Sequence, residues 1–141
     1  MSFNKILVPV DFSPPSRAAM RTAATLAAET GATVTIAHFW QVPVLGAELP
    51  LPAQYVDDVR GQAEEQLAAW TAEASALAGK PVNHVCELGV AWDEVVKLTR
   101  RDQYDLVIVG THGRTGLKHV LLGSVAEKIV RHAPCAVLVV R

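Results

Sequence analysis

Five short runs of apolar, largely β-branched residues recur along this chain, and a stretch with helical periodicity separates each run from the next. That alternation is the strongest constraint on the fold. A strand that is apolar on both faces is stable where helices cover both faces of its sheet. The first run, Lys5-Ile6-Leu7-Val8-Pro9-Val10, ends at Asp11, and the others occupy residues 33–40, 82–88, 106–109 and 136–140. Ser13-Pro14-Pro15 supplies a capping hydroxyl followed by prolines of the kind a first helical turn accepts. From there Ala19, Ala23, Leu26 and Ala27 keep helical spacing as far as Gly31. Val56, Val59, Ala63, Leu67, Trp70, Ala74 and Leu77 draw one apolar stripe on a second helix that stops at Gly79. Trp92, Val95, Val96 and Thr99 mark a face of a third helix, and Val125, Ala126, Ile129 and Val130 the buried face of a fourth, which Pro134 ends. With right-handed crossovers, this order predicts a doubly wound α/β fold: a five-stranded parallel sheet sandwiched by four helices, in a single domain over residues 1–141.

The chain carries 13 Lys+Arg against 14 Asp+Glu, a formal net charge of −1, with no basic tail, so it lacks the electrostatic attraction that general nucleic-acid binding needs. Its apolar runs are far shorter than a membrane span, and Pro9 and Asp11 interrupt the first of them where a signal-peptide core would need continuity. A cytoplasmic location is expected, with no membrane insertion. Cys86 and Cys135 lack metal-ligand spacing and are too few for a disulfide framework; they read as buried thiols in strands. The segment 41–52, with Pro43, Gly46, Pro50 and Pro52, reads as a surface loop.

In doubly wound folds ligands bind beyond the carboxyl ends of the strands, where the winding direction changes. Two strand ends carry unusual residues: Val10-Asp11 on the first, and Gly110-Thr111-His112-Gly113 on the fourth. A switch point between these two strands would bring them together. From Gly110 to Gly123 four glycines fall in fourteen positions. Missing side chains let backbone amides approach an anion, and a helix starting near Gly123-Ser124 aims its positive end at the same place, so phosphate is the natural guest. The alternative is that the glycines merely permit tight turns. Gly116 is followed by Leu117, which excludes a P-loop, and the turn after the first strand has no glycine, which excludes a dinucleotide fingerprint or a flavodoxin-like loop. His112 and His119 have no further clustered ligands for a metal. No G-x-S-x-G elbow is present, and Glu94 and Glu127 read as exposed helix residues rather than catalytic bases.

The spacing of Gly110, Gly113, Gly123 and Ser124 matches G-x2-G-x9-G-[ST], and by it the chain resembles the ATP-binding type of the universal stress protein family. The similarity extends from Lys5-Ile-Leu-Val-Pro-Val-Asp11, through Ala37-His38, to the terminal Ala133-Pro134-Cys135-Ala136-Val137-Leu138-Val139-Val140. This resemblance implies a Rossmann-like sheet with strand order 3-2-1-4-5. It implies that Pro9, Val10 and Asp11 line an adenine pocket completed by the backbone around His38 and Phe39. It places Gly110, Gly113 and Arg114 around the phosphates, with Gly123, Ser124 and Val125 supplying amides and a hydroxyl from the start of the fourth helix. A Mg²⁺ or Mn²⁺ ion would be held mainly by phosphates and water. Local alternatives stand beside these roles: Asp11 and Ser124 are both suited to capping the turn or helix that follows, and Arg114, like Lys118, to being a solvated loop charge.

By the same resemblance the expected role is that of an ATP-binding stress-response protein whose nucleotide occupancy regulates an unknown protein partner. Two rivals stand beside it: a slow ATPase or self-phosphorylating protein, and a nucleotide-independent interaction module. The fifth strand, 136–140, is apolar and would lie at a sheet edge, which a soluble protein has to protect. The resemblance implies that two such edges meet in a homodimer.

Overall fold

In the computed structural model, residues 2–42, 51–111 and 122–141 are described. The element order is β1 (Lys5–Pro9), α1 (Pro14–Thr30), β2 (Thr33–Trp40), α2 (Ala53–Ala78), β3 (Asn83–Leu88), α3 (Ala91–Arg101), β4 (Leu106–Gly110), α4 (Ser124–His132) and β5 (Ala136–Val140). The five strands form one parallel sheet in the order β3-β2-β1-β4-β5, so the winding direction changes between β1 and β4, as the sequence suggested.

Period-two alternation divides β1 and β2 between two cores. Ile6, Val8, Val34 and Ile36 pack under α1 and α2 with Met20, Leu67 and Trp70, whereas Leu7, Ala37 and Phe39 face α3 and α4 with Val95, Val107 and Ile129. β1 is covered on both sides, which is why its apolar run does not alternate with polar residues. Asp105, just before β4, accepts the backbone N–H groups of Asn4 and Lys5 at 2.8 and 2.9 Å and pins the amino ends of the two central strands together.

The helix boundaries follow local chemistry. Ser13 caps α1 by accepting the Ser16 N–H at 3.4 Å, with prolines in the first turn, and Gly31 closes the helix in the left-handed conformation that favours glycine. The stripe on α2 is buried at Ala63, Leu67, Trp70 and Ala74, but its last member is Ala78; Leu77 is 45% exposed. A 3.6-residue period carries the buried face on by four residues there, not three. On α4 Ala126 and Ile129 are buried, whereas Val125 and Val130 are 39% and 46% exposed. A nine-residue helix buries one i, i+3 pair and leaves its flanking positions at the rim.

Cys86 lies on β3, but Cys135 sits one residue before β5 rather than within it, and both are partly buried. They belong to opposite sheet edges, and burial pushes both thiols above the ordinary cysteine range. β5 pairs with β4 at the sheet edge and presents Leu138 at 41% exposure. Among the described residues, no helix is long and apolar enough to cross a membrane.

Candidate functional site

A cavity of about 250 Å³ opens at the carboxyl ends of β1 and β4, where the switch point leaves a gap between diverging connections. Pro9, Val10, Asp11, Phe39, Gly110, Gly123, Ser124 and Val125 all line it, so most of the residues singled out from sequence meet in one place. Gly113 and Arg114 lie outside the described residues, as do most of the 110–123 loop and of the 41–52 segment.

One wall is the turn after β1. Asp11 accepts the Ser13 N–H on its Oδ1 at 3.0 Å, forming a local Asx turn, while its own N–H donates to Ser16 Oγ at 3.4 Å. Ser16 Oγ in turn donates to the Ser13 carbonyl at 3.0 Å, and both serines are buried. The capping role and the cavity-lining role of Asp11 therefore coexist, while the cap of α1 is Ser13. Phe12 between them adopts a φ of 66°, a left-handed conformation that costs a bulky residue on the order of 1–2 kcal/mol. Its ring compensates by packing on His38, with centroids 4.5 Å apart, and edge-on against Trp70 at 5.2 Å.

His38 does not face the cavity. Alternation along β2 turns Ala37 and Phe39 toward it and His38 toward α2, where Nδ1 donates to the Val10 carbonyl at 2.8 Å. The expectation for His38 concerned its backbone, and its neighbours Ala37 and Phe39 line the cavity while its own side chain lies on the other face of the sheet.

The opposite wall is made of small residues and backbone. Gly110 packs against the first turn of α1 so closely that a Cβ would lie 2.6 Å from the Pro15 carbonyl carbon. Thr111 donates its N–H to the Val140 carbonyl at 2.8 Å, and its own carbonyl accepts the Gly123 N–H, which joins both ends of the glycine-rich loop to the end of β5. Gly123 is the N-cap of α4 and brings no side chain to cap it, so the first-turn amides and the positive end of the helix dipole face the cavity. Ser16, Ala37, Ala91, Val109, Thr111 and Ala126 complete the lining. Ala37 and Val109 come from β2 and β4, Thr111 from the glycine-rich segment and Ala126 from the α4 stripe, whereas Ser16 and Ala91, which no motif marks, are brought in by the first turns of α1 and α3.

The cavity joins an apolar slot between Phe39 and Val109, one carboxylate on the β1 side and a cluster of backbone donors on the α4 side. That combination suits a flat apolar ring carrying an anionic tail. The family model for the universal stress protein family matches residues 2–141. The chain belongs to the universal stress protein family.

Among its relatives, a universal stress protein of Methanocaldococcus jannaschii is 29% identical over 140 residues, covering 99% of this chain and 82% of the relative. The universal stress protein UspA from Lactobacillus plantarum shares the fold with a TM-score of 0.85 at 22% identity, covering 100% of this chain and 99% of that one. The universal stress protein from Archaeoglobus fulgidus in complex with dAMP superimposes with a TM-score of 0.71 at 20% identity over the whole of both chains. For this universal stress protein, the described residues contain no group of three or more His, Cys, Asp or Glu arranged to hold a metal ion.

Proposed function

We propose that this universal stress protein binds an adenine nucleotide, ATP in its working form, in the β1/β4 cavity, and that occupancy governs its association with a protein partner. The observation that carries this reading is the pairing of an apolar slot and Asp11 on one wall with the uncapped amino end of α4 on the other. Structural neighbours of the family have been solved with cAMP, dAMP and AMP, which supports the adenine class of ligand.

In this reading Phe39, Ala37 and Val109 exclude water from the faces of the base, and the Asp11 carboxylate accepts hydrogen bonds from donors of the nucleoside. The α4 amides and the Ser124 hydroxyl take the phosphate nearest the sugar, and Gly113 and Arg114 follow the outer phosphates as the family motif implies. Asp11 is the one carboxylate among the lining residues, so a Mg²⁺ or Mn²⁺ ion arriving with ATP would be held by phosphate oxygens and water. The open edge of β5, where Leu138 is exposed, is the proposed homodimer surface, and the cytoplasm the proposed location.

Native mass spectrometry of the purified protein tests this reading in one spectrum. A dimer that carries the mass of ATP, or takes it up from added Mg-ATP, is the expected result. Retained ADP would favour slow hydrolysis and direct attention to phosphate release. A protein that stays empty at saturating Mg-ATP would overturn the reading in favour of a nucleotide-independent module.

A further inference from the structure

The three rings of His38, Phe12 and Trp70 lie on the α2 side of the sheet, outside the cavity, yet they grip the turn that carries Asp11. We infer that this stack is the positioning element of the nucleotide site: it sets the Val10-Asp11 peptide and the reversal at Phe12 from the far face of the sheet. The inference rests on the proposed nucleotide reading and adds residues to it that never touch the ligand.

Two anchors hold the turn. β1 leaves its ladder after the Val10 N–H donates to Ala37 at 2.8 Å, and at that point the Val10 carbonyl takes the His38 Nδ1 proton at 2.8 Å. A carbonyl oxygen can only accept, so the proton is on Nδ1. The bond fixes the plane of the peptide that ends in the Asp11 N–H, whose other contact is Ser16 Oγ on the first turn of α1. The second anchor is Phe12. Its left-handed backbone reverses the chain so that Asp11 faces the cavity while the Phe12 ring drops to the other side, between the rings of His38 and Trp70.

Trp70 is itself held on α2: it is buried, and the Arg17 guanidinium lies 5.0 Å over its ring while pairing with Glu73 at 3.4 Å. The turn therefore takes its conformation from α2 as well as from its own hydrogen bonds. A local sequence would place glycine or asparagine at the reversal; a phenylalanine there makes sense because its ring is what keeps the reversal closed.

The test is a calorimetric titration of the full-length protein with AMP, in wild type and in three variants, with circular dichroism to confirm folding. His38→Leu removes the donor and is expected to weaken AMP binding about tenfold, the worth of one hydrogen bond. His38→Asn keeps a donor near the Nδ1 position and is expected to recover most of that loss, a rescue that general destabilisation would not give. Phe12→Asn tolerates the left-handed backbone but lacks the ring, and is expected to weaken binding to a similar degree. Wild-type binding with all three variants unchanged would overturn the positioning role alone, whereas no binding by wild type would overturn the nucleotide reading and the positioning role with it. Should His38→Leu fail to fold, the long-range ¹H–¹⁵N spectrum of wild-type His38 decides: a proton on Nδ1 supports the bond, and a proton on Nε2 alone overturns it.

Discussion

The two walls of the cavity are built by different means. On the β1 side the chain from Pro9 to Ser16 is held by side chains: Asp11 on Ser13, Ser16 on Ser13 and Asp11, His38 on Val10, and Phe12 in a reversed conformation under two rings. On the β4 side Gly110, Thr111 and Gly123 are held by backbone contacts that use the Thr111 and Gly123 N–H groups, and the amides left to the cavity are those of Ser124, Val125 and Ala126 in the first turn of α4. A wall of fixed side chains selects a shape and a pattern of donors; a wall of backbone donors selects charge. The first is vulnerable to losing atoms and the second to gaining them.

That contrast sets the order of expected effects. Gly110→Ala should be the most damaging, because the new Cβ meets the Pro15 carbonyl carbon at 2.6 Å and the Ser16 nitrogen at 2.8 Å, both backbone atoms that cannot rotate away. It should cost roughly 1–3 kcal/mol in urea denaturation, as overpacking does, and abolish ligand binding because both walls meet there. Full stability and affinity in that variant would break the distinction between the walls. Asp11→Ala should come next. Loss of the 3.0 Å bond to the Ser13 N–H should lower stability by about 1 kcal/mol and weaken adenosine and ATP alike, with Asp11→Asn restoring the stability, because its amide oxygen still accepts.

Ser124→Ala sharpens the comparison from the other side. Ser124 is exposed and makes no capping bond, so stability should move by less than about 0.5 kcal/mol. Adenosine affinity should be unchanged and AMP affinity reduced a few-fold. An equal loss for both ligands would place the nucleoside on the wrong wall. The smallest effect expected is that of salt: raising ionic strength should weaken ATP but leave adenosine unaffected, since the charged part of the ligand alone meets the α4 dipole.

Much of this architecture was legible in the sequence, for reasons visible in particular residues. Ile6-Leu7-Val8 announces a strand buried on both faces, and Ser13-Pro14-Pro15 and Gly31 bracket α1 as capping chemistry requires. The strand order came from the family resemblance and the sheet has it. The site was legible wherever a strand end carried a glycine or a carboxylate. It was illegible where direction mattered: adjacent residues on β2 point to opposite faces, so the Phe39 side chain lines the cavity while that of His38 turns to the other face, where it holds the Val10 carbonyl. Val125, Val130 and Leu77 look like core residues by spacing, yet each sits at a helix rim. Ser16 and Ala91 reach the cavity through the packing of elements distant in sequence, and nothing local marks them. The reversal at Phe12 was hidden because a bulky residue is the last choice for a left-handed turn until the rings beneath it are known.

The most direct test of the two-wall account is amide chemical-shift mapping of the ¹⁵N-labelled protein, titrated first with adenosine and then with ATP. The account predicts that adenosine shifts Val10, Asp11 and Phe39, and that ATP adds Gly123, Ser124, Val125 and Ala126 to the perturbed set. Equal shifts of the α4 amides by adenosine, or no perturbation around Asp11 by either ligand, would contradict it.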